Sequence, residues 1–229
     1  MPTVTLPGGP TLSYREWGRA DGAAVLLLHG LTSSSDSWQH VAPVIGERFR
    51  VIAPDARGHG DSEWTKDYSF SAMRDDVAGL MDAIGILAAI VVGHSMGAIT
   101  AYDLAATEPE RVRLLVLEEM PPPDPAKPPQ SMPTEPDPDG KTDWHAVIAV
   151  RRWRNAPDRA WWDMAGSITS QTLVLGGEQS HLSQARMRDL SDAIPNATYT
   201  STDLGHNIHE ERPSEFLRVV EPFISWFAK

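Results

Sequence analysis

The stretch Ala88-Ala89-Ile90-Val91-Val92-Gly93-His94-Ser95-Met96-Gly97-Ala98-Ile99-Thr100-Ala101-Tyr102 decides how this chain folds. Its first part is a short run of small and β-branched apolar residues, the composition of a strand buried on both faces. Beyond it, Ile99, Ala101, Tyr102, Leu104 and Ala105 have the spacing of a helix packed on a sheet. Between the two, Gly93-His94-Ser95-Met96-Gly97 leaves no length for a loop, so the chain turns from strand to helix at Ser95. Small residues two before and two after the serine let strand and helix approach without a clash. Ser95 is therefore presented at a sharp turn and is the candidate nucleophile.

The same alternation runs outward in both directions. Residues 3–6 and 11–17 read as a hairpin reversed at Pro7-Gly8-Gly9-Pro10. Residues 24–28 and 50–53 read as short buried strands, and residues 69–84 as an amphipathic helix with Met73, Val77, Leu80, Met81 and Ile84 on one side. Further strands are predicted at 112–117, 171–175 and 197–200, and helices at 182–194 and 213–227. Pro213 suits the first turn of the last helix, where its missing amide hydrogen costs nothing. Strands alternating with helices give an α/β protein with a mostly parallel sheet. No internal repeat is visible.

One segment breaks the rhythm. Nine of the 19 prolines fall between Pro121 and Pro138. Proline removes a backbone donor and fixes φ, so this stretch is expected to form an extended, stiff arm. It leads into helical candidates at 143–154 and 158–165, which carry Trp144, Trp153, Trp161 and Trp162, half of the eight tryptophans. The chain is thus expected to be one domain, 1–229, with 121–168 inserted as the arm and a small helical lid. Aromatic side chains on such an insertion suit a concave apolar surface, and Trp38, Trp144 and Trp153 are the candidate substrate contacts. Arg151, Arg152 and Arg154 read first as a solvated helix face and second as the rim of a pocket for an anionic substrate.

A formal net charge of −11 argues against nucleic acid or an anionic membrane surface as partner and leaves a small-molecule substrate. No run approaches the roughly 20 apolar residues that cross a bilayer, and the first residues lack the pattern of a signal peptide. The expected location is cytoplasmic, as a monomer or homodimer. With no cysteine, disulfides and thiolate catalysis are excluded. No cofactor and no metal site is expected.

A serine hydroxyl needs a base within hydrogen-bond reach, and the base needs a carboxylate to orient it. His206, in Leu204-Gly205-His206-Asn207 after the last strand, is the favoured base, because a loop leaving that end of the sheet points to the edge that carries Ser95. His209, His181 and His94 are the rivals. A developing oxyanion needs donors oriented before reaction. Gly30 permits a sharp turn after the strand at 24–28, which directs the Leu31 amide to the pocket beside the amide of Met96.

His29-Gly30, Asp55-x-Arg57-Gly58-x-Gly60-x-Ser62, Gly93-x-Ser95-x-Gly97 and Gly205-His206, in that order, resemble the α/β-hydrolase family over nearly the whole chain. The resemblance implies an eight-stranded, mostly parallel sheet with a lid after the sixth strand, and a structural role for residues 55–62. It also implies hydrolysis of a small apolar ester or lactone by a carboxylesterase or lactonase. The alternatives on the same fold are a carbon-carbon bond hydrolase, a lyase, or a weakly catalytic receptor-like protein. Serine at position 95 argues against dehalogenase and epoxide hydrolase chemistry, which uses a carboxylate nucleophile.

One departure concerns the acid. Family members usually carry an aspartate in the loop after the seventh strand, but Gly177-Glu178-Gln179-Ser180 has serine at that place. Some members carry the acid at the end of the sixth strand, where this chain has Glu118 and Glu119. Glu119 is favoured, because in similar sequences the carboxylate is the last residue before the loop. Glu118 is expected on the opposite face by strand alternation, and Glu178 is the further alternative.

Overall fold

The structure, a computed structural model, describes residues 1–120, 122–134 and 140–225. Pro121 and residues 135–139 of the expected arm, and residues 226–227 of the expected closing helix, lie outside the described residues. Eight strands form one sheet: β1 (Thr3–Thr5), β2 (Thr11–Gly18), β3 (Ala24–Leu28), β4 (Arg50–Pro54), β5 (Ala89–His94), β6 (Val112–Glu118), β7 (Gln171–Gly177) and β8 (Ala197–Thr202). Their order is β1-β2-β4-β3-β5-β6-β7-β8. β2 runs antiparallel to β1 and β4, and every other pairing is parallel.

The central strands are apolar along most of their length because both faces are covered. In β5, Val91 joins the core on one face, while Ile90 and Val92 join the core on the other. β3 divides likewise, with Leu26 and Leu28 on one side and Val25 and Leu27 on the other. Such strands cannot show polar alternation, so they read as short apolar runs.

Among the described residues, eight α-helices surround the sheet: α1 (Ala42–Gly46), α2 (Phe70–Ala83), α3 (Met96–Thr107), α4 (Trp144–Asn155), α5 (Arg159–Asp163), α6 (Gln184–Ala193), α7 (Ile208–Glu211) and α8 (Pro213–Ser225). α2, α3 and α6 share one core, and α1 and α8 the other. Side-chain caps start several of them. Ser69 accepts from the Ala72 amide at α2, Asp143 from the His145 amide at α4, and Ser183 from the Arg186 amide at α6. None of the described helices is long and apolar enough to cross a membrane.

The segment between β6 and β7 packs onto the body. Ala146 and Val150 of α4 and Trp161 of α5 are buried in the core that holds α3. Trp161 stacks on Tyr102 at 4.3 Å, and the Tyr102 hydroxyl donates to the Trp161 carbonyl at 2.6 Å. Residues 122–134 form neither helix nor strand, as their prolines dictate. Side chains tie them down: Arg186 to Asp124 at 2.7 Å, and Asn155 to the Gln130 backbone at 2.7 and 2.8 Å.

Candidate active site

Ser95 has φ 50° and ψ −110°, a region that is costly for a residue with a side chain. The surroundings hold it there. Its amide donates to the Glu118 carbonyl at 3.0 Å, and its carbonyl accepts from Ala98 and Ile99 at 3.1 and 3.2 Å. A Cβ on Gly97 would stand 2.2 Å from the Leu28 carbonyl oxygen, and one on Gly93 would stand 2.4 Å from that of Gly97. No larger residue fits either position without moving backbone. Met96 opens α3, where a backbone amide has no acceptor within the helix. A Cβ on Gly30 would lie 3.5 Å from that of Ser95, so the turn that carries Leu31 passes beside the serine.

β6 ends at Glu118, and Glu119 follows with φ 48°. That single left-handed residue sends the two carboxylates to different partners. Glu119 is fully buried, and its amide donates to the Leu175 carbonyl at 2.8 Å. Its Oε1 accepts from the Gly177 amide at 2.7 Å and Gln184 Nε2 at 3.2 Å; its Oε2 accepts from the Ser180 hydroxyl and from His206 Nδ1 at 2.9 Å. Four donors compensate the carboxylate for lost water. Gly177 also lets the His206 loop come close, since a Cβ there would lie 2.3 Å from the Gly205 carbonyl oxygen.

Glu118 accepts from the His209 amide at 2.9 Å and from His209 Nδ1 at 2.7 Å. Burial acts to raise the Glu118 pKa, but the neighbouring His209 and the hydrogen bonds it donates prevail and hold it below the usual carboxylate range. Burial lowers the pKa of His94 to about 3, so its ring is neutral. His94 Nε2 donates to the His206 carbonyl at 3.0 Å. The residue before the serine thus anchors the loop that carries His206. His94, Glu118 and His209 offer ligand atoms within 4.8 Å of one another; hydrogen bonds engage His94 Nε2, Glu118 and His209 Nδ1, while His209 Nε2 is buried without a partner among the described residues.

Ser95, Glu119 and His206 therefore gather at one edge of the sheet. No hydrogen bond joins Ser95 to His206 among the described residues, a contact that often forms only with substrate bound. Of the rival bases, His209 is fully buried, and His181 is exposed with its ring 4.8 Å from that of His206. Glu178 points away, to Ser201 and Arg188.

Trp38 corrects an expectation. It is fully buried on the other face of the sheet, stacked on His209 at 3.8 Å and 6.0 Å from Phe216, so it contributes core and no pocket surface. Trp144 sits half-buried at the start of α4. Trp153 lines a cavity of about 410 Å³ between residues 122–130, α4 and the start of α6; Ser95 is not in its wall. Residues 55–62 are structural, as expected: Asp55 accepts from the amides of Ser35 at 2.7 Å and Asp61 at 3.0 Å. Sequence reasoning missed Gly177, Ser180 and Gln184 as the cradle of Glu119. The one available signal was Ser180 itself, a hydroxyl standing where an acid was sought.

A family profile described as alpha/beta hydrolase fold matches residues 23–136. The non-heme chloroperoxidase of Streptomyces lividans is 35% identical over 160 residues, 66% of this chain and 56% of that protein. The bifunctional esterase/perhydrolase DCH of Acinetobacter calcoaceticus is 36% identical over 143 residues, 61% of this chain and 50% of that protein. The AB hydrolase superfamily protein YfhM of Bacillus subtilis is 37% identical over 119 residues, covering 50% of this chain and 42% of its own length. Matches to such curated relatives span from about a third to just over half of their lengths. Among solved structures, the enol-lactonase from Burkholderia xenovorans LB400 superposes with TM-score 0.86 at 24% identity, over 98% of this chain and 100% of that one. These structural likenesses bear on the fold.

Proposed function

We propose, from the premise that the chain belongs to the α/β-hydrolase fold family, that it is a cofactor-independent serine hydrolase cleaving a small ester or lactone. Ser95 Oγ attacks the carbonyl carbon while His206 Nε2 takes its proton. The same imidazolium then protonates the leaving oxygen, which departs as an alcohol, and an acyl-Ser95 ester remains. Water, deprotonated by His206, hydrolyses that ester and restores the serine. Glu119 holds the imidazole with Nδ1 protonated and offsets its positive charge. The amides of Leu31 and Met96 receive the oxyanion.

The observation that carries this reading is the bond from His206 Nδ1 to the buried Glu119, made on the same sheet edge as the strained turn at Ser95. A carboxylate with four donors fixes the ring in one orientation and one tautomer. The esterase and lactonase relatives agree with this chemistry.

The test is covalent trapping by a fluorophosphonate, followed by a survey of 4-nitrophenyl esters from acetate to octanoate. Labelling confined to Ser95, and turnover abolished by Ser95→Ala and His206→Ala, is the expected result. Turnover that survives both substitutions contradicts the assignment.

A further inference from the structure

We infer that the cavity between the Pro-rich segment, α4 and α6 is a carboxylate subsite, so that the preferred ester or lactone carries an acid group remote from its reacting carbonyl. The inference rests on the hydrolase reading and narrows its substrate.

The cavity holds about 410 Å³, room for a short acyl chain. Three cations, Lys127, Arg154 and Arg186, and one carboxylate, Asp124, stand in its wall. Asp124 is already committed. It accepts from Arg186 at 2.7 Å and from the Ala126 amide at 3.0 Å, and Arg186 has a second acid, Asp189, at 3.8 Å. Arg154 and Lys127 form no ion pair among the described residues. In a chain of net charge −11, three cations against one carboxylate in a concave wall run against the average.

Arg154 is also half-buried. Burial, and then the charge of Arg151, lower its pKa, so the guanidinium lacks what an anion would supply. A carboxylate matches its planar fork with two parallel hydrogen bonds. Trp153, Leu182, Pro122 and Pro123 give the rest of the wall an apolar character suited to a hydrocarbon chain.

The cavity wall adjoins the loop that faces the candidate base. The wall includes Leu182, the neighbour of His181, whose ring lies 4.8 Å from that of His206. The charges of Arg154 and Lys127 both reach His181 and, after burial and His206, lower its pKa.

Calorimetric titration of the full chain with adipate tests the subsite without turnover. Saturable binding is expected, weakened about tenfold in Arg154→Met and in Lys127→Met, and weakened by added salt. Absence of saturable binding, or binding that both variants keep at full strength, overturns the proposal. Lys127 is exposed, so its variant retains the fold even where Arg154→Met does not.

Turnover gives a second reading, the ratio of kcat/KM for mono-4-nitrophenyl adipate to that for 4-nitrophenyl heptanoate. A ratio above one that falls about tenfold in each variant supports the subsite. A ratio below one in the unsubstituted chain overturns it and leaves the hydrolase reading standing. Adipate binding with neither ester turned over supports the subsite and sinks the hydrolase reading instead.

Discussion

His206 Nδ1 lies 2.9 Å from Oε2 of Glu119, although the histidine hangs from the loop after β8 and the carboxylate follows β6, two strands away. The bond fixes which ring nitrogen carries the proton, and an amide at position 119 can present its NH₂ there and favour the wrong tautomer. Glu119→Gln is therefore expected to lower kcat by roughly 10³- to 10⁴-fold, the scale set by removing an orienting acid from a serine triad. Glu178→Gln, at an exposed residue bonded to Ser201 and Arg188, is expected to stay within about twofold. Ester turnover with both variants at matched concentration checks this. The opposite order of effects moves the acid to the later loop.

Ser180 donates to the same Glu119 oxygen that His206 Nδ1 bonds. An acid at position 180 therefore stands one side-chain length from the imidazole. In Glu119→Ala, the further substitution Ser180→Asp is expected to recover at least about tenfold in kcat, because a carboxylate again faces Nδ1. Single-turnover acylation rates of the two variants give the comparison, and no recovery contradicts the shared position.

The strand-turn-helix at Ser95 was legible because sterics leave so few residues for its positions, as the 2.2 Å clash at Gly97 illustrates. The central strands were legible as unbroken apolar runs. α1 and α7 were not, since five and four residues are too few to display a helical period. Trp38 misled because an aromatic near a serine-rich turn reads alike whether it faces a pocket or a core. Its partners His209 and Phe216 come from the far end of the chain, and only the tertiary fold joins them. Strand alternation already announced the division between Glu118 and Glu119, on opposite faces, whereas the positive φ at Glu119, a residue type that does not favour one, had no signal in the composition.

That division predicts different phenotypes for adjacent acids. Glu118 and His209 form a fully buried pair beneath the site. Glu118→Leu leaves the His209 amide and Nδ1 proton buried without acceptors, and is expected to cost about 3–5 kcal/mol of stability. Glu118→Gln keeps one acceptor and should cost distinctly less. Urea unfolding followed by tryptophan fluorescence measures both. A Glu118→Leu protein within about 1 kcal/mol of the parent contradicts a supporting role for the pair.

Acid sensitivity follows from the buried imidazoles. Burial holds both His59 and His94 at a pKa of about 3, against an ordinary value near 6.5. Between those values the unfolded chain binds protons that the folded chain refuses, so stability falls as pH falls from about 7 toward 3. By pH 5 each histidine is expected to remove about 2 kcal/mol. The carboxylates of Glu118 and Asp143, whose folded pKa values are lowered, add their loss only further down, as pH drops below the ordinary carboxylate range. Urea midpoints at pH 7, 6 and 5 should therefore decline before Glu118 or Asp143 titrates. His59→Gln should flatten the decline by one proton, because its ring nitrogen Nε2 is buried without a partner and a neutral amide does not titrate. Midpoints that hold steady from pH 7 to 5 mean that these rings take up protons in the folded state, and hence that water reaches them.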